Sequence, residues 1–153
     1  MVQGLKIGKI LAAIDGSETS VVAANYAISL AEKYKAQLII LNVLHLHTLR
    51  QMSSSFITAP TFGLEEAKNL KEEAKKWLEE IRKEAEQKGL VSKTKMVDEA
   101  TSIVGTIVEL AENEMVDLIV VGTRGSTGFR RMLLGSVAQG VVVYSHCPVL
   151  VVR

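Results

Sequence analysis

Residues 121–136 read VGTRGSTGFRRMLLGS, four glycines and three arginines directly behind a run of apolar residues. Residue types of this kind suit a phosphate. Gly122 and Gly125 permit positive φ and let the backbone approach a ligand with no side chain in between. Gly135 and Ser136 open a helix, whose unpaired N–H groups and positive dipole end favour an anion. Ser136, Thr123, Arg124, Ser126 and Thr127 supply further donors. The stretch is not a Walker A loop, because no lysine precedes Ser136. Nor is it GxGxxG, since Gly122, Gly125 and Gly128 are spaced G-x-x-G-x-x-G. Composition alone leaves two readings open, an anion cradle and a strand exit that needs flexible residues.

A second candidate is Asp15-Gly16-Ser17, which closes the apolar run Ile7 to Ile14. An aspartate before Gly-Ser caps a turn or helix; a ligand role, as ribose acceptor or outer ligand of Mg²⁺, is the alternative. His45 and His47 share one side of an extended segment, but two histidines without a third ligand nearby read as incidental, and so does His146. Cys147 is the only cysteine. It excludes an internal disulfide and reads as a buried, inert thiol ahead of Pro148. Arg130 and Arg131 read as solvated surface.

Alternating strand and helix patterns must position these groups. Ile7–Ile14, Leu38–Leu44, Asp117–Gly122 and Pro148–Val152 are short apolar runs of the buried-strand type, and Leu90–Val97 alternates as an edge-like strand. Helical spacing starts near Glu18, with Ser17 or Thr19 as cap. There Val22, Tyr26, Leu30 and Tyr34 form one ladder, and Ala23, Ala27 and Ala31 the adjoining one. A second helix covers 64–88, with Leu64, Leu70, Ala74, Trp77, Leu78, Ile81 and Ala85 on its apolar stripe and Gly89 to end it. Its other face carries Glu72 with Lys76 and Glu79 with Lys83, a solvated surface. Ser102–Met115 and Ser136–Ser145 complete four helices. Strands alternating with helices imply one open, doubly wound α/β domain over 1–153, a five-stranded parallel sheet with helices on both faces. Ligands of such sheets bind beyond the strands' carboxyl ends, where strand order reverses. Neighbouring first and fourth strands would open Asp15 and the glycine stretch onto one crevice. The 45–63 segment is an irregular, variable loop of the length used for lids and partner surfaces.

Lysine and arginine number 18 against 17 acids, so no whole-protein field recruits nucleic acid or an anionic membrane. No apolar run approaches the ~20 residues of a membrane span. The first apolar run ends at Asp15 without a cleavage site and reads as a strand, which makes a cytoplasmic location the expectation.

The spacing Gly122-x2-Gly125-x9-Gly135-Ser136 matches the G-2x-G-9x-G-[S/T] signature of the nucleotide-binding branch of the universal stress protein family. The residues around it, through Cys147-Pro148-Val149-Leu150-Val151-Val152, resemble that family's C-terminal third. Ile14-Asp15-Gly16-Ser17 and Leu41-Asn42-Val43 resemble its corresponding N-terminal segments. The resemblance implies an adenine nucleotide alpha hydrolase-like, flavodoxin-like sheet of order 3-2-1-4-5. It also implies ATP, AMP or ADP as ligand, with Mg²⁺ as an accompanying ion. Asp15 would lie near the ribose or a phosphate-bound metal, and Val43 would face the adenine. Gly122, Gly125, Gly135 and Ser136 would wrap ribose and phosphates, with Val137 continuing the helix-start contact and Thr123 and Arg124 alongside. Ala13 and Asn42 depart from the proline and histidine frequent at these positions, and both departures are expected at the adenosine end.

The implied function is an ATP-binding stress-response or signalling module with slow or no hydrolysis and no catalytic residue. The sequence offers no general base beside the glycine loop and no kinase-type acid set. A slow ATPase or nucleotidyl-transfer enzyme on the same fold is the alternative, and an interaction protein with structural glycines a third reading. The final strand, 148–153, is expected to pair two copies into a homodimer.

Overall fold

The computed structural model describes residue 4 and residues 6–45, 62–123 and 134–153. The element order is β1 (Lys9–Ala13), α1 (Glu18–Tyr34), β2 (Gln37–Val43), α2 (Phe62–Gln87), β3 (Ser92–Val97), α3 (Ile103–Asn113), β4 (Leu118–Gly122), α4 (Ser136–Tyr144) and β5 (Val149–Val152). All strand pairs are parallel, in the order β3-β2-β1-β4-β5. This is the doubly wound sheet expected from the sequence, and β1 and β4 are neighbours.

Strand parity divides the core in two. Ile10, Ala12, Ile14, Leu38, Ile40, Leu118 and Val120 face α1 and α2, together with Leu78, Ile81 and Ala85 of α2. Leu11, Ile39, Leu41, Ile119 and Val121 face α3 and α4, together with Ile107, Ala111, Ala138 and Val141. Most of these strand residues are excluded from water. Each large one contributes about 1.5–3 kcal/mol on burial, enough to hold the register of the central strands.

Ser17 caps α1, its Oγ accepting the Ser20 N–H at 3.3 Å. Lys35 ends the helix in the left-handed region at φ 54° and donates to the Ala31 and Glu32 carbonyls. Of the two ladders on α1, the small one faces inward: Ala23, Ala24, Ala27, Ile28 and Ala31 are buried, whereas Val22, Tyr26 and Tyr34 are exposed. Alanines bring the helix axis close to the sheet, and of the bulky ladder only Leu30 packs against the core. Helix α2 follows its expected stripe except at Leu64, which is exposed, while Ala67 is buried in its place. Glu72 pairs with Lys75 at 2.9 Å, and Glu79 takes the Arg82 guanidinium in a two-pronged contact at 2.7 and 2.8 Å. The expected Glu79–Lys83 pair is present, at 4.0 Å and longer than the Arg82 contact, whereas Glu72 takes Lys75 in place of the expected Lys76. Such exposed pairs contribute little to stability in either arrangement.

Candidate functional site

The parallel register sets one row at the carboxyl edge of the sheet. Ala13 pairs with Leu41 on one side and Val121 on the other. One pleat further on lie Asp15, Val43 and Thr123, following the first, second and fourth strands. Ala13, Val43, Val97, Leu134 and Val137 are half-buried and pack on the α3/α4 cluster. An apolar, half-covered floor therefore adjoins a polar rim, the combination that small-molecule sites use.

Asp15 fulfils the structural role open to it. Its Oδ1 accepts the Ser17 N–H at 3.0 Å and the Ser17 hydroxyl at 2.6 Å, closing a turn over Gly16. The Asp15 N–H in turn donates to Ser20 Oγ at 3.3 Å. Gly16 adopts φ +82°, a conformation that side chains disfavour. The carboxylate is thus pinned to the start of α1 while staying half-buried at the crevice.

Across the β1/β4 junction, the Thr123 carbonyl accepts the Gly135 N–H at 2.7 Å, and the Thr123 N–H donates to the Val152 carbonyl at 2.7 Å. These bonds place the N-terminus of α4 at the end of β4. Gly135 is the N-cap and offers no side chain, so no side-chain oxygen caps the first turn from Ser136. The exposed Ser136 and half-buried Val137 carry the N–H groups that such a turn leaves unpaired. Thr123 is buried, and among the described residues its Oγ1 has no hydrogen-bond partner. A buried hydroxyl without a partner costs about 1–3 kcal/mol unless something else satisfies it.

Two expectations need correction. Gly122 does not use positive φ; among the described glycines that conformation belongs to Gly16 and Gly89. Its missing side chain instead admits α1, since a Cβ there would stand 2.8 Å from Thr19 Oγ1 and 2.9 Å from the Thr19 carbonyl carbon. Asn42 does not share the floor with Ala13 and Val43. Pleat parity turns it to the opposite face, where it is buried and its Nδ2 donates to the Ile14 carbonyl at 2.8 Å. The departure at Asn42 thus concerns the support of the Asp15 turn.

Arg124, Gly125, His47, Arg130, Arg131 and most of the 45–63 loop lie outside the described residues. His45 is exposed and forms an isolated bridge with Glu99. Among the described residues no group of three or more His, Cys, Asp or Glu side chains could hold a metal. Cys147 is half-buried where full burial was expected, with its Sγ 3.5 Å from Ser145 Oγ. The floor residues Val97 and Leu134 were not singled out in the sequence, and Thr19 was named there as a possible helix cap, not as the neighbour of Gly122. Parity along β3 could have found Val97; nothing in the sequence pointed Thr19 at Gly122.

The fold is of the open, doubly wound α/β class, with strand order reversing between β1 and β4. The universal stress protein family model matches residues 6–153, and the chain belongs to that family. It is 40% identical over 147 residues to the universal stress protein MJ0531 of Methanocaldococcus jannaschii, covering 95% of this chain and 81% of that protein. The solved structure of MJ0577, from the same organism, superposes with a TM-score of 0.76 at 33% identity and 96% coverage of both chains. A universal stress protein solved in complex with cAMP superposes with a TM-score of 0.64 at 26% identity, covering 97% of this chain and 98% of that one.

Proposed function

We propose that this chain binds an adenine nucleotide, ATP in the first instance, as a nucleotide-dependent stress-response or signalling module that hydrolyses it slowly or not at all. The observation that carries this reading is the meeting, at the carboxyl ends of β1 and β4, of the Asp15 turn with the side-chain-free N-cap of α4 and the partnerless buried Thr123 hydroxyl. A relative's complex with cAMP supports an adenine ligand for the family. Ala13, Val43 and Val137 offer an apolar surface to the purine. Gly135, Ser136 and Val137 offer backbone N–H groups to phosphate oxygens, and Thr123 its hydroxyl; Gly122, Arg124 and Gly125 complete the motif. Asp15 holds the ribose or, through the phosphates, Mg²⁺. Bound Mg²⁺ would neutralise phosphate charge. With one such carboxylate at the crevice it would arrive with the nucleotide and not be caged by the protein.

Isothermal titration with ATP, ADP and AMP, each with and without Mg²⁺, tests the proposal. Saturable binding of ATP is expected, weakened at least about tenfold in Asp15→Ala, equivalent to ~1.4 kcal/mol. Phosphate release should not exceed that of the same variant. Absence of binding heat with all three nucleotides overturns the reading.

The same proposal includes a homodimer through 148–153. β5 is an outer strand, and Val142, Val143 and Tyr144 of the adjoining α4 are exposed. An unprotected edge strand beside exposed apolar side chains invites a second copy. Light scattering should give twice the chain mass; a monomer at every concentration overturns it.

A further inference from the structure

Trp77 is the only tryptophan in the chain. It lies half-buried on α2, on the stripe shared with Ala74, Leu78 and Ile81, and packs against the α1/α2 core cluster. Its indole rests on the backbone of Gly16. A Cβ built at Gly16 would stand 2.7 Å from Cζ2, 2.8 Å from Cη2 and 3.1 Å from Cε2 of Trp77, the three nearest atoms to that point. Gly16 is therefore required twice, by its positive φ and by the ring against it.

The turn has other supports: the Asp15 Oδ1 bonds to the Ser17 N–H and hydroxyl span it, and the rest act at its ends. Asn42 Nδ2 holds the Ile14 carbonyl at 2.8 Å, and the Ile14 N–H donates to the Leu41 carbonyl at 2.8 Å. On the far side Ser17 is committed to α1 as its N-cap. The apex, where a glycine with positive φ has wide conformational freedom, is met by the Trp77 ring. An aromatic ring is suited to this task, because it covers a large area with two rotatable bonds and loses little entropy.

We propose that Trp77 is a positioning residue: it clamps Gly16 so that the Asp15 carboxylate is presented to the nucleotide in one geometry. Its emission then reports occupancy of the site. The inference rests on the nucleotide-binding reading of the same crevice, through Asp15. It assigns to α2, an element that contributes nothing to the glycine motif, control over the affinity of the site. A supporting group of this kind changes binding without touching the ligand.

The test uses the full chain and Trp77→Phe and Trp77→Leu variants. In the wild type, ATP titration is expected to shift or quench Trp77 emission with the midpoint found by calorimetry. Trp77→Leu is expected to weaken ATP about tenfold while Trp77→Phe, which keeps a ring, recovers most of the loss. Amide exchange separates positioning from general destabilisation without any nucleotide. The Ser17 amide should exchange faster in Trp77→Leu, while those of Leu11 and Ala12 in β1 keep their protection. Unchanged Ser17 exchange overturns the clamp, as does an unchanged ATP affinity in Trp77→Leu, or silent emission in a wild type that binds ATP by calorimetry. Absence of calorimetric binding in the wild type fails the nucleotide reading itself and, with it, the control of affinity assigned to Trp77. Faster Ser17 exchange would then show a clamp on the turn alone.

Discussion

The two edges of the sheet differ in how fully their polar groups answer one another. At the amino edge the groups satisfy one another. Asp117 Oδ2 accepts the Gly8 and Lys9 N–H groups at 2.8 and 2.9 Å. The Glu114 carboxylate takes the Lys93 and Lys95 ammonium groups at 2.7 and 2.6 Å, and its carbonyl takes that of Lys9 at 2.6 Å. At the carboxyl edge, Thr123 Oγ1 and Asn42 Oδ1 are buried without partners among the described residues, and the N-cap of α4 has no side chain. Ser92 Oγ, at the start of β3, is the one partnerless group of this kind described at the amino edge. A protein edge that closes on itself stitches strands together. An edge that leaves donors and acceptors unanswered is stable in that form when something else answers them.

The largest effect should come from removing the space that lets α1 reach the end of β4. Gly122→Val places carbon against Thr19 and should cost about 3 kcal/mol in urea unfolding, as overpacking of a tight contact does. Wild-type stability in that variant would show that the Thr19–Gly122 approach is dispensable.

Ser136→Glu divides the two edges more sharply, because stability and affinity should move in opposite directions. A carboxylate in the first turn of α4 interacts well with the helix dipole, adding about 0.5 kcal/mol to stability. The same charge repels phosphate and should weaken ATP at least about tenfold, ~1.4 kcal/mol. A variant that is more stable and binds ATP as before would remove phosphate from this helix end.

The smallest effect belongs to the amino edge. Hydrogen bonds from Lys93 and then Lys95 hold Glu114 down to about 2. A carboxyl with a depressed folded-state value stabilises fully above the ordinary carboxylate range. That contribution is lost as pH falls from about 4.5 through about 2. Glu114→Gln should flatten the acid limb of a stability–pH curve in that window and leave ATP affinity at pH 7 unchanged. A weakened ATP affinity would show that the two edges are coupled through the sheet.

Much of this molecule is legible before folding. The apolar runs, their turn residues and the change to helical spacing name nine elements in order, and the order dictates a parallel sheet. The glycine spacing and Asp15 mark the ends of the first and fourth strands, and the resemblance they carry led to the right family. These features are local, so neighbours along the chain encode them. Periodicity could not choose between the two ladders of α1, since both repeat every turn; the choice fell to the alanines because they alone allow close approach to the sheet. Nor could it tell that Gly122 serves Thr19, that Asn42 supports Ile14, or that Trp77 covers Gly16. Each of those contacts joins residues far apart in the chain. Their partners are set by register, pleat parity and helix placement, which exist once the tertiary structure has formed.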